Sequence, residues 1–364
     1  MNTLQHLRKL GQSLWLDSIS REMLDDGRLA RYVRELDITG LTSNPTIFDE
    51  AIASGAYDAD IARKSGEGKS GEELFTELAL EDLRRAAELF RPAFERSAGV
   101  DGWVSMELSP LIAGDAAASV SAAARIHRTA QTPNLFVKIP GTPQGVSAIE
   151  QSIFDGVPIN VTLLFSPEQY LASANAYLRG IERRIEAGRS PDVASVASLF
   201  VSRWDKAVAE QVPAPLHNRL GIAIALRTYV AYLELYQSPR WQKLASAGAR
   251  PQRMLWASTG TKDPKAPASL YAEAFAAPDT IDTLPEKTLL ALAKLDHLPP
   301  PMPTDGADSL HTLAEFHAAG VDVDALATRL QREGAEAFVK SWRSLMQRIS
   351  ERGGSSSVAR RGTG

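Results

Sequence analysis

Ser13-Leu14-Trp15-Leu16-Asp17-Ser18 runs straight into Ile19-Ser20-Arg21, and this junction separates the two folds open to the chain. The run is short, apolar and closed by a carboxylate, as a buried strand entering a loop would be. A doubly wound dinucleotide-binding sheet places G-x-G-x-x-G directly after such a strand, and Asp17-Ser18-Ile19-Ser20 contains no glycine. Runs of the same kind recur at 38–44 (ITGLTSN), 103–109 (WVSMELS), Leu135–Pro140 (LFVKIP), 159–166 (INVTLLFS), 197–204 (ASLFVSRW) and 254–259 (MLWAST). A weaker eighth lies at 280–284 (TIDTL). Between them, stretches such as 72–90 and 167–187 carry apolar residues at three- and four-residue spacing, so strand and helix alternate. About eight strands with polar residues near their C-terminal ends predict an α/β fold, a closed (β/α)8 TIM barrel with its chemistry at that end.

Past Pro285 the period is helical to about Ser350, clearest over 310–319 and 323–349. The sequence therefore predicts one α/β-barrel domain over 1–350, with additional helices that include a C-terminal helical extension at 285–350 packing on the barrel. The Gly-, Ser- and Arg-containing 351–364 reads as a disordered tail. Gly68-Lys69-Ser70 imitates the end of a phosphate-binding P-loop, but Arg63 stands where that motif needs glycine and no strand precedes it. A solvated Gly/Ser loop is expected there.

With 40 Lys+Arg against 44 Asp+Glu, the formal charge is -4, which gives no chain-wide reason to bind nucleic acid or an anionic membrane. There are no cysteines, hence no disulfide framework, thiolate metal site or cysteine nucleophile. Residues 1–10 (MNTLQHLRKL) lack a secretory signal's apolar core, and no run of about 18 apolar residues could span a bilayer. A cytoplasmic protein is expected. The six histidines, His6, His127, His217, His297, His311 and His317, fall outside the strand ends, so neither a metal site nor a histidine triad is expected.

Lys138 is the most informative residue, because the strand around it is otherwise wholly apolar. Buried, its ammonium would lose water, its pKa would fall, and the neutral amine could form a Schiff base with a carbonyl. Alternatively its stem is buried and its head reaches solvent. Asp17 and Glu107 both sit in the C-terminal part of an apolar strand. Each alone could be a structural partner for a cation, but two carboxylates and a lysine at one barrel mouth supply a nucleophile and groups that move protons. Asn160 and Thr162 share one strand face by the two-residue period. Asn44 and Ser198 add neutral hydrogen-bonding groups suited to a polyhydroxylated ligand. Arg203, with Ser258 and Lys262 after the next strand, could hold a phosphate at the rim, or pair with surface charge instead.

These motifs resemble those of the transaldolase family, particularly its longer bacterial subgroup. The resemblance rests on Leu16-Asp17-Ser18-Ile19-Ser20-Arg21, Gly40-Leu41-Thr42-Ser43-Asn44-Pro45, Val104-Ser105-Met106-Glu107-Leu108-Ser109-Pro110 and Asn134-Leu135-Phe136-Val137-Lys138-Ile139-Pro140. It continues through Ile159-Asn160-Val161-Thr162-Leu163-Leu164, Phe200-Val201-Ser202-Arg203 and Ala257-Ser258-Thr259-Gly260-Thr261-Lys262, nearly the whole chain. Departures are Gly141, where related chains often carry alanine, Trp204, where an aliphatic residue is common, and Lys262, where other subgroups place an arginine nearer the serine.

The resemblance implies a Schiff base on Lys138 with a ketose phosphate, sedoheptulose 7-phosphate or fructose 6-phosphate. The retained dihydroxyacetone unit would pass to glyceraldehyde 3-phosphate or erythrose 4-phosphate, within the pentose phosphate pathway. It further implies Asp17 as acid/base, Glu107 and Thr162 holding a water that shuttles protons, and Asn44, Asn160 and Ser198 on the dihydroxyacetone hydroxyls. Arg203 and Ser258 would bind the phosphate, with Lys262 a candidate second ligand. No cofactor is then required, because the iminium is the electron sink. Partners would be sugar phosphates, and the assembly a monomer or homodimer. Two rivals remain on residue chemistry alone: a barrel glycoside hydrolase using Asp17 and Glu107, and a non-catalytic sugar-phosphate binding protein.

Overall fold

The computed structural model describes residues 2–297 and 299–359. Every run named above forms a strand: β1 (Ser13–Leu16), β2 (Gly40–Leu41), β3 (Val104–Glu107), β4 (Leu135–Pro140), β5 (Ile159–Leu164), β6 (Ser195–Phe200), β7 (Arg253–Ala257) and β8 (Ile281–Leu284). They pair in parallel in the order β2-β1-β8-β7-β6-β5-β4-β3. At the remaining seam, the Leu41 N–H donates to the Trp103 carbonyl at 3.0 Å, so the barrel is nearly closed. β2 is shorter than its run, because Asn44 leaves the strand to cap the helix Pro45–Ala53. Its side chain accepts from the Ile47 N–H, and Pro45 takes the first helical position.

The two-residue period sorts each strand's side chains. Trp15, Phe136, Val196, Leu255 and Ile281 join one apolar cluster inside the barrel, while Leu14, Leu16, Val137, Ile139 and Met254 join the larger one beneath the helices. Trp103 stacks on Phe136 with ring centroids 4.0 Å apart, and Trp15 lies tilted against it at 6.3 Å. Gly40 makes room for the plug: a Cβ there would lie 2.6 Å from the Trp103 carbonyl and 2.7 Å from the Trp15 ring. Asp17 follows Trp15 by two positions, Lys138 follows Phe136 and Ser198 follows Val196. The polar groups therefore stand one layer above an apolar floor.

Helices fill the intervals. The helix expected over 167–187 is Pro167–Glu186, capped by Ser166, and that expected over 72–90 extends to Gly71–Arg96. The helix Asp58–Gly66 precedes the latter, so only 67–70 link them, with Gly68 at φ 90°. No strand leads into Gly68-Lys69-Ser70, as the rejection of a P-loop requires. Among the described residues, no helix is long and apolar enough to cross a membrane.

The C-terminal extension is built by Ser309–Ala318 and the long helix Val323–Ala359. Residues 351–359, expected as disordered tail, are thus helical, and 360–364 lie outside the described residues. At the start of this stretch Arg352 pairs with Asp58 and donates to the Ala53 carbonyl at 3.1 Å, holding the helix against the barrel's outer helices there. Further back, Trp342 meets Phe75 edge-on at 5.2 Å, tying the extension to the barrel's outer helices.

Asp282, on β8, is fully buried, and neither carboxyl oxygen meets a hydrogen-bond partner among the described residues. The Thr259 hydroxyl donates to the Thr283 carbonyl instead. Burial pushes the Asp282 carboxyl up to about 8. A folded-state value above the unfolded one means that the folded chain binds more protons, so this group's stabilisation is complete below about pH 4 and is lost as pH rises through about 8. Asp282→Asn should therefore raise the melting temperature by at least about 3 °C at pH 8 and leave it nearly unchanged at pH 4, measured by calorimetry. A larger gain at pH 4 than at pH 8 would contradict this.

Candidate active site

Seven of the ten site residues read from the sequence line one cavity of about 110 Å³ at the C-terminal mouth of the barrel: Asp17, Asn44, Lys138, Ser198, Arg203, Ser258 and Lys262. Lys138 is 5% exposed, which decides between its two readings: its ammonium is buried and does not reach solvent. Its Nζ lies 3.1 Å from Glu107 Oε2 and donates to the Ser43 carbonyl at 3.0 Å. Strand register produces this pairing, because Glu107 on β3 stands directly beside Lys138 on β4 and Asn160 on β5 stands on its other side.

Glu107, Asn160 and Thr162 stand behind this cavity rather than in its wall. Ser198 Oγ donates to Asn160 Oδ1 at 2.7 Å, and Asn160 Nδ2 donates to Ser105 Oγ at 3.2 Å. Glu107 also lines a small adjoining chamber of about 20 Å³ with Ser109, Pro140, Leu163 and Phe338, room for about one water molecule. The Ser109 and Thr162 hydroxyls, both buried, meet no hydrogen-bond partner among the described residues.

Burial raises both carboxyls above their ordinary values. For Asp17 the Thr42 hydroxyl, donating at 2.7 Å, and the charges of Lys138, Lys262 and Arg203 oppose the shift. For Glu107 the opposing partner is Lys138, and the Asp17 charge adds to the rise. Such groups are stronger bases than exposed carboxylates and exchange protons nearer neutral pH.

At the rim, Arg203 lies over the Phe200 and Phe338 rings, 5.1 Å and 5.9 Å from their centroids. Among the described residues no carboxylate comes within ion-pair distance of it, so the guanidinium fork is free to take an anion. Burial lowers its pKa against the pull of Glu107 and Asp17, yet a guanidinium stays charged. Lys262 is lowered too, first by burial and then by the Arg203 and Lys206 charges. Ser258 holds φ at 55° and shares a 3.0 Å hydroxyl contact with Ser202, turning the loop after β7 toward Arg203.

Two departures from the family pattern have local causes. A Cβ on Gly141 would lie 2.3 Å from Leu164 Cδ2 and 2.8 Å from Ser173 Oγ, so glycine gives these side chains the positions they hold here. Trp204 is fully buried, and its indole N–H donates to the Phe165 carbonyl at 3.1 Å. Other wall residues were not read as site residues, Thr283, Phe200 and Phe338 among them. Thr283 and Phe200 were within reach, each lying on the inward face of a recognised strand, but Phe338 comes from the C-terminal helix and nothing local marks it.

A nearly closed parallel barrel thus gathers at its mouth a buried lysine–carboxylate pair, a second carboxyl and an arginine that no carboxylate pairs among the described residues, groups that can attack a carbonyl and hold an anion. Comparison with known proteins makes this specific. Residues 14–349 match the family described as Transaldolase/Fructose-6-phosphate aldolase. The chain is 44% identical over 360 residues to a transaldolase of Thiobacillus denitrificans, covering 96% of this chain and 100% of that protein. It is 40% identical over 362 residues to one of Thermobifida fusca (96% and 97%) and 37% identical over 373 residues to Transaldolase 2 of Nostoc punctiforme (96% and 97%). The chain belongs to the transaldolase family, and it is an enzyme of the transferase class.

Proposed function

We propose that the enzyme moves a dihydroxyacetone unit from a ketose phosphate to an aldose phosphate through a Schiff base on Lys138. The observation that carries this is the buried Lys138–Glu107 pair at 3.1 Å, in a cavity that also presents Asp17 and Arg203. Glu107 accepts the ammonium proton, and the freed amine adds to the ketose carbonyl. Loss of water from the adduct leaves an iminium, with Glu107 and Thr162 handling the water and its protons. The iminium draws the electron pair of the adjoining carbon–carbon bond as Asp17 removes the proton of the neighbouring hydroxyl, and the aldose departs. The enamine then attacks the incoming aldehyde, Asp17 returns the proton to the new hydroxyl, and water releases the product ketose.

Asn44 and Ser198, with Asn160 behind Ser198, are suited to the dihydroxyacetone hydroxyls, and Arg203, Ser258 and Lys262 to the phosphate. Sedoheptulose 7-phosphate and fructose 6-phosphate are the donors proposed, glyceraldehyde 3-phosphate and erythrose 4-phosphate the acceptors. The test is borohydride reduction with fructose 6-phosphate present, followed by peptide mass mapping. An adduct on Lys138 supports the mechanism, and active enzyme without one defeats it.

Arg203→Ala checks the phosphate assignment. Hydrogen bonds to a charged group contribute about 1.5–3 kcal/mol each, so the variant should raise KM for fructose 6-phosphate about 10²-fold. Its effect on unphosphorylated fructose should stay within about threefold. Equal losses for both sugars, in steady-state kinetics, would remove Arg203 from the phosphate site.

A further inference from the structure

Gln331, on the helix Val323–Ala359, is buried and donates its single Nε2 to two backbone carbonyls, those of Gly141 and Leu163, each at 3.0 Å. The first carbonyl directly follows β4, which carries Lys138, and the second directly follows Thr162 on β5. Gly141 is gripped from its other side as well, where its N–H donates to the Thr162 carbonyl at 2.7 Å. One side-chain amide from the C-terminal helix therefore spans the ends of the two strands that carry the lysine and the threonine.

β5 is irregular at this point. Val161 stands opposite Ala197, but Leu164 stands opposite Leu199, so three steps on β5 face two on β6. Leu163, the extra residue, has φ at 59°, a left-handed conformation that a bulky side chain adopts only under constraint. The bulge turns Leu163 into the inner cluster with Phe165 and Phe338 and puts Leu164, which strict alternation would point inward, under the helices. Gly334, on the same helix, lets the approach happen: a Cβ there would lie 2.9 Å from Leu163 Cδ2. A strained bulge persists where its surroundings over-determine it, and here the C-terminal helix supplies both the hydrogen bond and the fit.

We propose that Gln331 is a positioning residue for the imine step, holding the β5 bulge that sets Thr162 beside Pro140, two residues beyond Lys138. The proposal rests on the transfer mechanism above and adds the C-terminal helix to its machinery. It is tested on the full-length enzyme by a double-mutant cycle of Gln331→Met, which keeps the side chain's size and removes its donors, with Thr162→Val. The readout is the initial rate of the borohydride-trapped Lys138 adduct with fructose 6-phosphate, beside KM and the melting temperature. Gln331→Met should slow adduct formation about tenfold with KM changed less than about twofold, and should add less than about twofold in the Thr162→Val background.

The same tenfold loss in both backgrounds, or full trapping speed with only a lower melting temperature, would show a structural tie alone and overturn the proposal. If Gln331→Met does not fold, Gln331→Asn, which keeps the amide but shortens its reach, enters the same cycle with the same criteria. A wild-type enzyme without a Lys138 adduct defeats the transfer mechanism and the proposal with it. A wild type that forms the adduct but is indifferent to Gln331 defeats the proposal alone.

Discussion

Lys138→Met is expected to lower kcat/KM for transfer by at least about 10⁴-fold and to abolish the borohydride adduct. Nucleophiles that form covalent intermediates cost about this much or more when removed, because no neighbouring group can replace the bond that they make. Among the described residues of the cavity, Lys262 is the other amine, but it sits at the rim with Arg203 and lacks the Glu107 carboxylate that accepts Lys138's proton. Methionine keeps the length of the side chain, so the cavity and the apolar layer beneath it should survive. What changes is Glu107, left buried with no cation beside it.

Burial already raises the Glu107 carboxyl against the opposing charge of Lys138, so in the variant it should rise further and take up a proton. Below the unfolded value of about 4.3 the variant should match the wild type in stability, and it should lose stability as pH rises through the new folded-state value. Melting curves across pH 4 to 9 check this, and retained transfer activity in Lys138→Met would end the Schiff-base mechanism. It would also revive a carboxylate-only hydrolysis by Asp17 and Glu107.

Asp17→Ala should separate the two halves of the reaction. General acid–base groups contribute about 10²–10⁴-fold, and transfer should fall by that amount. The Lys138 adduct with fructose 6-phosphate should still form, because Glu107, not Asp17, stands within reach of Nζ. The outcome that sinks this assignment is an adduct yield that falls in step with transfer. In the wild type, burial holds the Asp17 carboxyl above its ordinary value even against the Thr42 hydroxyl and three nearby cations. As a base it must be ionised, so the acid limb of kcat should lie above about pH 4 and move down in a variant that opens the pocket to water.

The barrel was legible because its signals are local. Each strand announces itself in a run of five to eight residues, and Asp17, Lys138 and Ser198 follow from their own strands' period, two positions beyond Trp15, Phe136 and Val196. Motif order along the chain made the family resemblance specific. The helical state of 351–359 was not legible, since the Gly- and Ser-rich composition of that stretch argues against a helix by itself, and the partners of Arg352, Asp58 and the Ala53 carbonyl, lie almost 300 residues away in sequence. Phe338 was equally silent, as one aromatic on an amphipathic helix that has many apolar positions.

By itself, then, the sequence determined the strand census, the inward-facing chemistry of each strand and the class of reaction those residue types can support. Only the tertiary structure decided that Glu107 is the carboxylate at Lys138, that Arg203 meets no carboxylate among the described residues, and that β5 bulges at Leu163. It alone brought Gln331 to Gly141 across 190 residues. The reason is physical: side-chain period and capping are settled by neighbours a few residues apart. Ion pairs, orphaned hydroxyls and strained backbone depend on which distant segments barrel closure and helix packing bring into contact.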